Sequence, residues 1–200
     1  MLKGKSFFLT VNLIILLVFP FYSNAEINSI ELNVNSSDVE IKVEGELEKA
    51  YTPLFLSGGI LYSDDDYKLA NISCSVKEDI FMRGLELGLG FKGITGQMKI
   101  GSMDLDSASL GFIFFSAYDF SEKLYTFPVR ACLTLHIAPD PLCFLDAQRY
   151  TELTCSIYTN ITNNAAIVIG YRNFEARFEK DSLKAKRTEN AIFFGILLEF

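Results

Sequence analysis

Ile192-Phe193-Phe194-Gly195-Ile196-Leu197-Leu198-Glu199-Phe200 closes the chain with apolar side chains at 192, 194, 196, 198 and 200. Successive side chains of a strand point to opposite faces, so this segment has one wholly apolar face, with Gly195 and Glu199 on the other. Such a strand, ending on an aromatic residue, has the pattern of the last strand of a bacterial outer-membrane barrel, lipid outside and lumen inside. Phe194, Ile196, Leu198 and Phe200 are therefore read as a C-terminal barrel signal, presented to the barrel-assembly machinery and then to outer-membrane lipid.

The opposite end agrees. Lys3 and Lys5 precede an apolar run from Phe7 to Phe19, followed by the small-x-small site Ser23-Asn24-Ala25. The run is too short for the roughly 20 residues of a spanning helix and suits a secretory signal cleaved after Ala25. Residues 26–200 are then the mature chain, exported to the outer membrane of a Gram-negative bacterium. Removing Lys3 and Lys5 takes the basic count from 18 to 16 against 25 acidic residues, a net charge of −9. Phosphate backbones are bound by clustered Lys and Arg, so this acidic balance argues against a nucleic-acid partner.

Apolar/polar alternation, the period-2 signal of strands with two unlike faces, recurs ten times. The segments are 30–34, 39–44, 54–62, 68–76, 85–92, 105–118, 124–137, 150–158, 165–174 and 192–200. The clearest is Leu85-Glu86-Leu87-Gly88-Leu89-Gly90-Phe91-Lys92; in 124–137, Phe127 to Ile137 alternate with Thr126, Arg130, Thr134 and His136. Short links are expected at 77–79, 119–122 and 160–164, and longer loops at 63–67, 94–104, 138–149 and 175–190, with a tight turn near Ser36. The fold predicted is all-β, a monomeric transmembrane antiparallel up-and-down barrel of about ten strands, or eight if the first two segments lie outside it. A soluble sandwich shares the alternation, but it does not account for a signal segment together with the terminal Phe. The 18 Phe and 9 Tyr can supply the aromatic girdles, although Trp is absent.

The C-terminal third carries Ala138-Pro139-Asp140-Pro141-Leu142, then Asp146-Ala147-x-Arg149-Tyr150-x-Glu152, then Ala166-x-Val168-x-Gly170-Tyr171-Arg172, with Tyr62-Ser63-Asp64-Asp65-Asp66 and the Phe-terminated strand beside them. In order and spacing these pieces resemble the YfaZ family of small outer-membrane proteins. The resemblance implies an outer-membrane barrel and brings no reaction with it. The chain departs from the family in being poorer in Gly and Trp, in its four Cys and in a basic patch, Lys184-Ala185-Lys186-Arg187.

If the register holds, Glu31, Glu40, Lys42, Glu44, Glu86, Lys92, Arg130, Glu152 and Arg172 all point into the lumen. The set Glu86, Lys92, Arg130, Glu152 and Arg172 is the candidate charge network. It either fills the barrel as an ion-paired plug or lines a small porin-like pore that selects ions by charge. Gly170 is expected to make room for the Arg172 guanidinium. His136 raises a third reading, a lipid-modifying hydrolase with a rim His, Glu152 and a hydroxyl from Thr134, Thr154 or Ser156, but no nucleophile motif supports it. No catalysis and no cofactor are expected. Asp64-Asp65-Asp66 suits a solvated turn better than a calcium site, which needs more ligands at set spacing. Strand parity sends Cys74 and Cys155 towards lipid and Cys132 inward, with Cys143 in a loop; small apolar fillers are the simplest account, and a Cys132–Cys143 link the alternative.

Overall fold

Period-2 alternation carries through almost the whole described chain. The computed structural model describes residues 26–47, 53–64, 66–79, 82–101, 103–121, 128–180 and 183–200. The strands are β1 (Glu26–Val34), β2 (Asp38–Leu47), β3 (Leu54–Ser63), β4 (Tyr67–Asp79), β5 (Leu85–Ile100), β6 (Met103–Asp119), β7 (Val129–Ala138), β8 (Cys143–Leu145), β9 (Ala147–Thr162), β10 (Ala165–Lys180) and β11 (Leu183–Glu199). All pairings are antiparallel, and pairing of β1 with β11 and of β5 with β6 closes a ring of ten strands. The short β8 is an eleventh piece that continues the pairing of β6 beyond the end of β7. The eight-strand alternative fails, because β1 and β2 are the segments that complete the ring. The signal residues Ser23 and Ala25 lie outside the described residues, as do Asp65, Thr126 and Phe127.

Glu26, where the described chain begins, and Phe200 sit at one end of the barrel, the terminus end; the opposite rim is the loop end. On the outer face the apolar band is continuous: Leu32, Ile41, Ile60, Leu89, Phe91, Leu110, Phe112, Leu133, Ile157, Ile169, Phe194 and Ile196 are all exposed. Phe194 is 57% exposed and the terminal Phe200 75%, a loss of apolar burial that only an apolar solvent would offset.

Three predicted loops need correction. Segment 94–104 is strand almost throughout, and 175–190 is a hairpin of β10 and β11 paired from Glu175↔Thr188 to Lys180↔Leu183. In both the alternation persists, but its polarity is reversed. Ile94 and Met98 point inward with Thr95, Gln97 and Lys99 outward; Ala176 and Phe178 point inward with Glu175, Arg177 and Glu179 outward. Of segment 138–149 only 139–146 lies between the long strands, and it contains a 3-10 turn at Asp140–Leu142 and then β8. Pro139 caps that turn with φ at −75°, near the value its ring fixes. The predicted short links also move, since Lys77-Glu78-Asp79 belongs to β4 and Asn160-Ile161-Thr162 to β9.

Asp146 fastens the 139–146 loop. Its carboxylate accepts the Asp106 N–H at 3.1 Å and the Lys180 Nζ at 3.0 Å, and its carbonyl accepts the Glu179 N–H at 2.9 Å. At the first turn Asn35 Oδ1 accepts the N–H groups of Ser37 and Asp38 at 2.7 and 2.8 Å, closing the tight turn expected near Ser36.

Candidate functional site: a lumen in two halves

At the loop end the interior is mainly apolar, with Arg187 and its partners Asp66 and Glu189 as an ion-paired group beside the Tyr67 ring. Leu61, Tyr67, Leu69, Ile94, Met98, Leu105, Ala138, Ala147, Tyr150, Phe174, Ala176 and Phe178 form one buried cluster, contributed by strands from β3 round to β10. It crosses the barrel, because the rings of Tyr67 on β4 and Phe174 on β10 meet edge to face at 5.5 Å from opposite walls. Phe174 also stacks on Tyr150 at 5.8 Å and is 0% exposed. This plug was missed in the sequence, where Tyr67, Met98, Ala147, Ala176 and Phe178 fell within expected loops and Phe174 ended a strand without being read as core. The available signal was the switch of apolar residues in β10 from odd positions up to Tyr171 to even positions from Phe174.

Below the plug lies a charged layer. Arg172 on β10 reaches β2, with Nη2 donating to Asp38 Oδ1 at 2.8 Å and Nη1 to Glu40 Oε2 at 3.1 Å. The Tyr67 hydroxyl donates to the other Asp38 oxygen at 2.6 Å, so the apolar and charged layers share a partner. Lys92 Nζ donates to Glu152 Oε1 at 3.1 Å, and the Tyr150 hydroxyl to Glu152 Oε2 at 2.8 Å. Lys42 stands 3.2 Å from Glu31 and 3.3 Å from Glu40. Asn33 Nδ2 links those two carboxylates at 2.5 and 3.3 Å, and Gly195 is glycine because a Cβ there would fall 2.0 Å from Asn33 Oδ1. Gly170 does not make room for Arg172: a Cβ at 170 would meet the Phe193 ring at 2.2 Å.

The terminus half is polar and hollow. A cavity of about 430 Å³ is walled by Glu31, Lys42, Glu44, Lys77, Lys92, Arg130 and Glu152 together with Ser57, Ser73, Ser75, Thr154, Ser156 and Tyr158. Its cations are paired among the described residues: Lys77 with Glu44 at 2.6 Å and Arg130 with Glu86 at 2.5 Å. Lys77 Nζ also lies 4.6 Å from the Phe55 ring centroid and 4.9 Å from that of Phe115, a cation–π setting for a residue that sequence reading had placed in a turn. Ile113 and Phe115, out of phase in the sequence, are part of this inner wall.

Of the five residues of the candidate charge network, Lys92 and Glu152 form one pair, Glu86 and Arg130 another, and Arg172 pairs with Asp38 and Glu40. His136 is not at a rim. It is fully buried, faces Glu152 across the β7–β9 ladder, and packs its ring 5.5 Å from that of Tyr150. Neither ring nitrogen has a hydrogen-bond partner among the described residues, so Thr134, Thr154 and Ser156 do not form a nucleophile pair with it. The cysteines are all free. Cys132 is opposite Ala117 and Cys143 opposite Ser109, eight residues apart along β6 and about 27 Å at strand rise, far beyond disulfide reach. Among the Asp residues of the third turn, Asp64 accepts the Tyr62 hydroxyl at 2.9 Å and Asp66 pairs with Arg187 at 3.1 Å.

No curated protein matches the chain. Solved structures that match the chain include two outer-membrane proteins. Neisserial surface protein A (NspA) is 12% identical with a TM-score of 0.36, aligning over 87% of this chain and 94% of its own. The KdgM porin is 10% identical with a TM-score of 0.45, aligning over 88% and 99%. The family described as YfaZ precursor matches residues 9–200, nearly the whole sequence. With that match added to the ten-stranded closed ring and its exposed apolar girth, the chain belongs to the YfaZ family and is a β-barrel of the outer-membrane type.

Proposed function

We propose that this protein is a monomeric outer-membrane barrel, closed to solutes, that serves the envelope as a structural element and carries out no catalysis. Its termini face the periplasm and the plug lies towards the outside, so the polar cavity is a vestibule open to the periplasm. The carrying observation is the Tyr67–Phe174 contact, which joins opposite walls inside a buried apolar layer. An ion crossing there would shed its hydration against packed aromatic and aliphatic side chains, a cost of many kcal/mol. The signal-like N-terminus and the Phe200-ended strand support export and recognition by the barrel-assembly machinery, and the exposed apolar band supports contact with lipid. A hydrolase reading finds no support in a His136 buried inside the lumen away from lipid.

Planar-bilayer recording of the refolded mature barrel, folded by the criterion of heat-modifiable gel mobility, tests the proposal. Silence is expected from the native chain, and discrete steps from a Phe174→Ala, Phe178→Ala double variant, which shows that insertion has occurred. Stable, salt-dependent steps from the native chain, altered by replacing Arg130 or Arg172, would instead make it a narrow porin-like channel.

A further inference from the structure

The basic patch Lys184-Ala185-Lys186-Arg187 is divided by the strand it lies on. Arg187 turns inward, donating to Asp66 at 3.1 Å, to the Lys99 carbonyl at 2.9 Å and to Glu189 at 3.0 Å. Lys186 turns outward, and the register places it directly opposite Arg177 of β10, which is directly opposite Arg149 of β9. Three exposed cations thus stand abreast across three neighbouring strands. Like charges in directly opposed positions destabilise a sheet, so the row sits at a cost unless an anion covers it. Glu175 is the one carboxylate that serves the row among the described residues: Oε1 accepts Arg177 Nε at 2.8 Å and Oε2 faces Lys186 Nζ at 2.8 Å. The terminal nitrogens of Arg177 and the whole guanidinium of Arg149 have no protein acceptor among the described residues.

The row's height identifies what it faces. The outer apolar band ends in this sector at Tyr171, whose hydroxyl donates to Asn190 at 2.7 Å. Arg177 lies six residues further along β10, about 20 Å at strand rise, or about 15 Å along the membrane normal at the usual tilt. The outward positions between are hydroxyl- and amide-bearing, Thr151, Thr188, Asn173 and Asn190, with Leu153 and Glu175. This order, from apolar to hydroxyl and amide to cationic, matches acyl chains, then sugar, then phosphate. We propose that the outer face of β9, β10 and β11 binds the phosphorylated sugar headgroup of an outer-leaflet glycolipid, with Arg149, Arg177 and Lys186 holding its phosphate. Arginine forks suit phosphate oxygens bidentately, and a phosphate would supply the missing counter-charge. The inference rests on the membrane placement proposed above.

The test is native mass spectrometry of the refolded mature barrel, released from micelles after titration with purified lipopolysaccharide. Arms with the same glycolipid dephosphorylated, with phosphatidylglycerol and with inorganic phosphate run beside it. The phosphorylated glycolipid should be retained best, and an Arg149→Gln, Arg177→Gln, Lys186→Gln triple variant should bind it about tenfold or more weakly, given the strength of charge-assisted hydrogen bonds. Lys68→Gln, an outward cation on the far wall, should bind as the native chain does. Equal retention by the triple variant, or equal binding of the dephosphorylated lipid, the phospholipid or free phosphate, overturns the site. Failure of the native chain to insert into bilayers at all overturns the membrane placement instead.

Discussion

The two halves of this barrel are built on the same strands with opposite hydrophobic parity. In the terminus half of β10, Ile167, Ile169 and Tyr171 face out while Gly170 and Arg172 face in; a few residues on, Glu175 and Arg177 face out while Phe174, Ala176 and Phe178 face in. The strand does not turn over. The solvent outside it changes, from lipid to water, and side chains of each polarity exchange faces accordingly. The first half is therefore an inside-out protein with a polar lumen, and the second a small water-soluble barrel with an apolar core. Arg172 lies at the junction, which is why a charge can be only 2% exposed beneath an aromatic plug.

Breaking that junction should have the largest effect. Arg172→Leu leaves the buried Asp38 without its cation and Glu40 with Lys42 alone, and a buried pair broken on one side costs about 3 to 5 kcal/mol. Urea titration of the refolded protein in phospholipid vesicles, followed by gel mobility, should show the midpoint fall by a matching amount. A second variant, Arg172→Leu with Asp38→Asn and Glu40→Gln, should recover most of the loss, because no unpaired charge then remains. If Arg172→Leu is neutral, the two halves are not joined through this residue.

Phe174→Ala tests the upper half alone. Removing a buried Phe costs about 3 to 5 kcal/mol, and the lower part of that range is expected here because Tyr67 and Tyr150 can relax into the gap. A loss below about 1 kcal/mol would mean that the plug is not a packed core in solution.

The parity change itself is tested by placing one charge on the outside of each half. Phe194→Arg puts a guanidinium in the apolar band and should cost about 2 to 4 kcal/mol, whereas Thr188→Arg, outward on the same strand beyond the band, should stay within about 0.5 kcal/mol. Equal costs would place the lipid boundary elsewhere. The same contrast explains what the sequence disclosed. Alternation marked all ten ring strands, since lumen and lipid differ as strongly as any two environments a strand can separate. The lengths of β5, β10 and β11 were lost because a polar outer face was taken as the end of the strand: Glu175, Arg177 and Lys186 resemble loop residues until the inward Phe178 and Ala185 beside them are counted. The inward orientation of Glu86, Lys92, Arg130, Glu152 and Arg172 followed from parity alone. The partners of Arg172 did not, since Asp38 and Glu40 on β2 are brought opposite it only by closure of the ring.

The smallest effect is expected in the vestibule. Arg130 and Glu86 approach to 2.5 Å, but the arginine side chain is 39% exposed to the polar cavity, so water competes for both ions. Such a pair contributes about 1 kcal/mol or less, and Arg130→Gln should shift the unfolding midpoint by no more than that. Salt sharpens the contrast. Raising ionic strength should abolish the small Arg130 effect, because screening acts on hydrated pairs, and leave the penalty of Arg172→Leu nearly unchanged, because bulk ions do not enter a buried junction. If both penalties decline together, the charged layer around Arg172 is wet, and the apolar plug above it is the only seal.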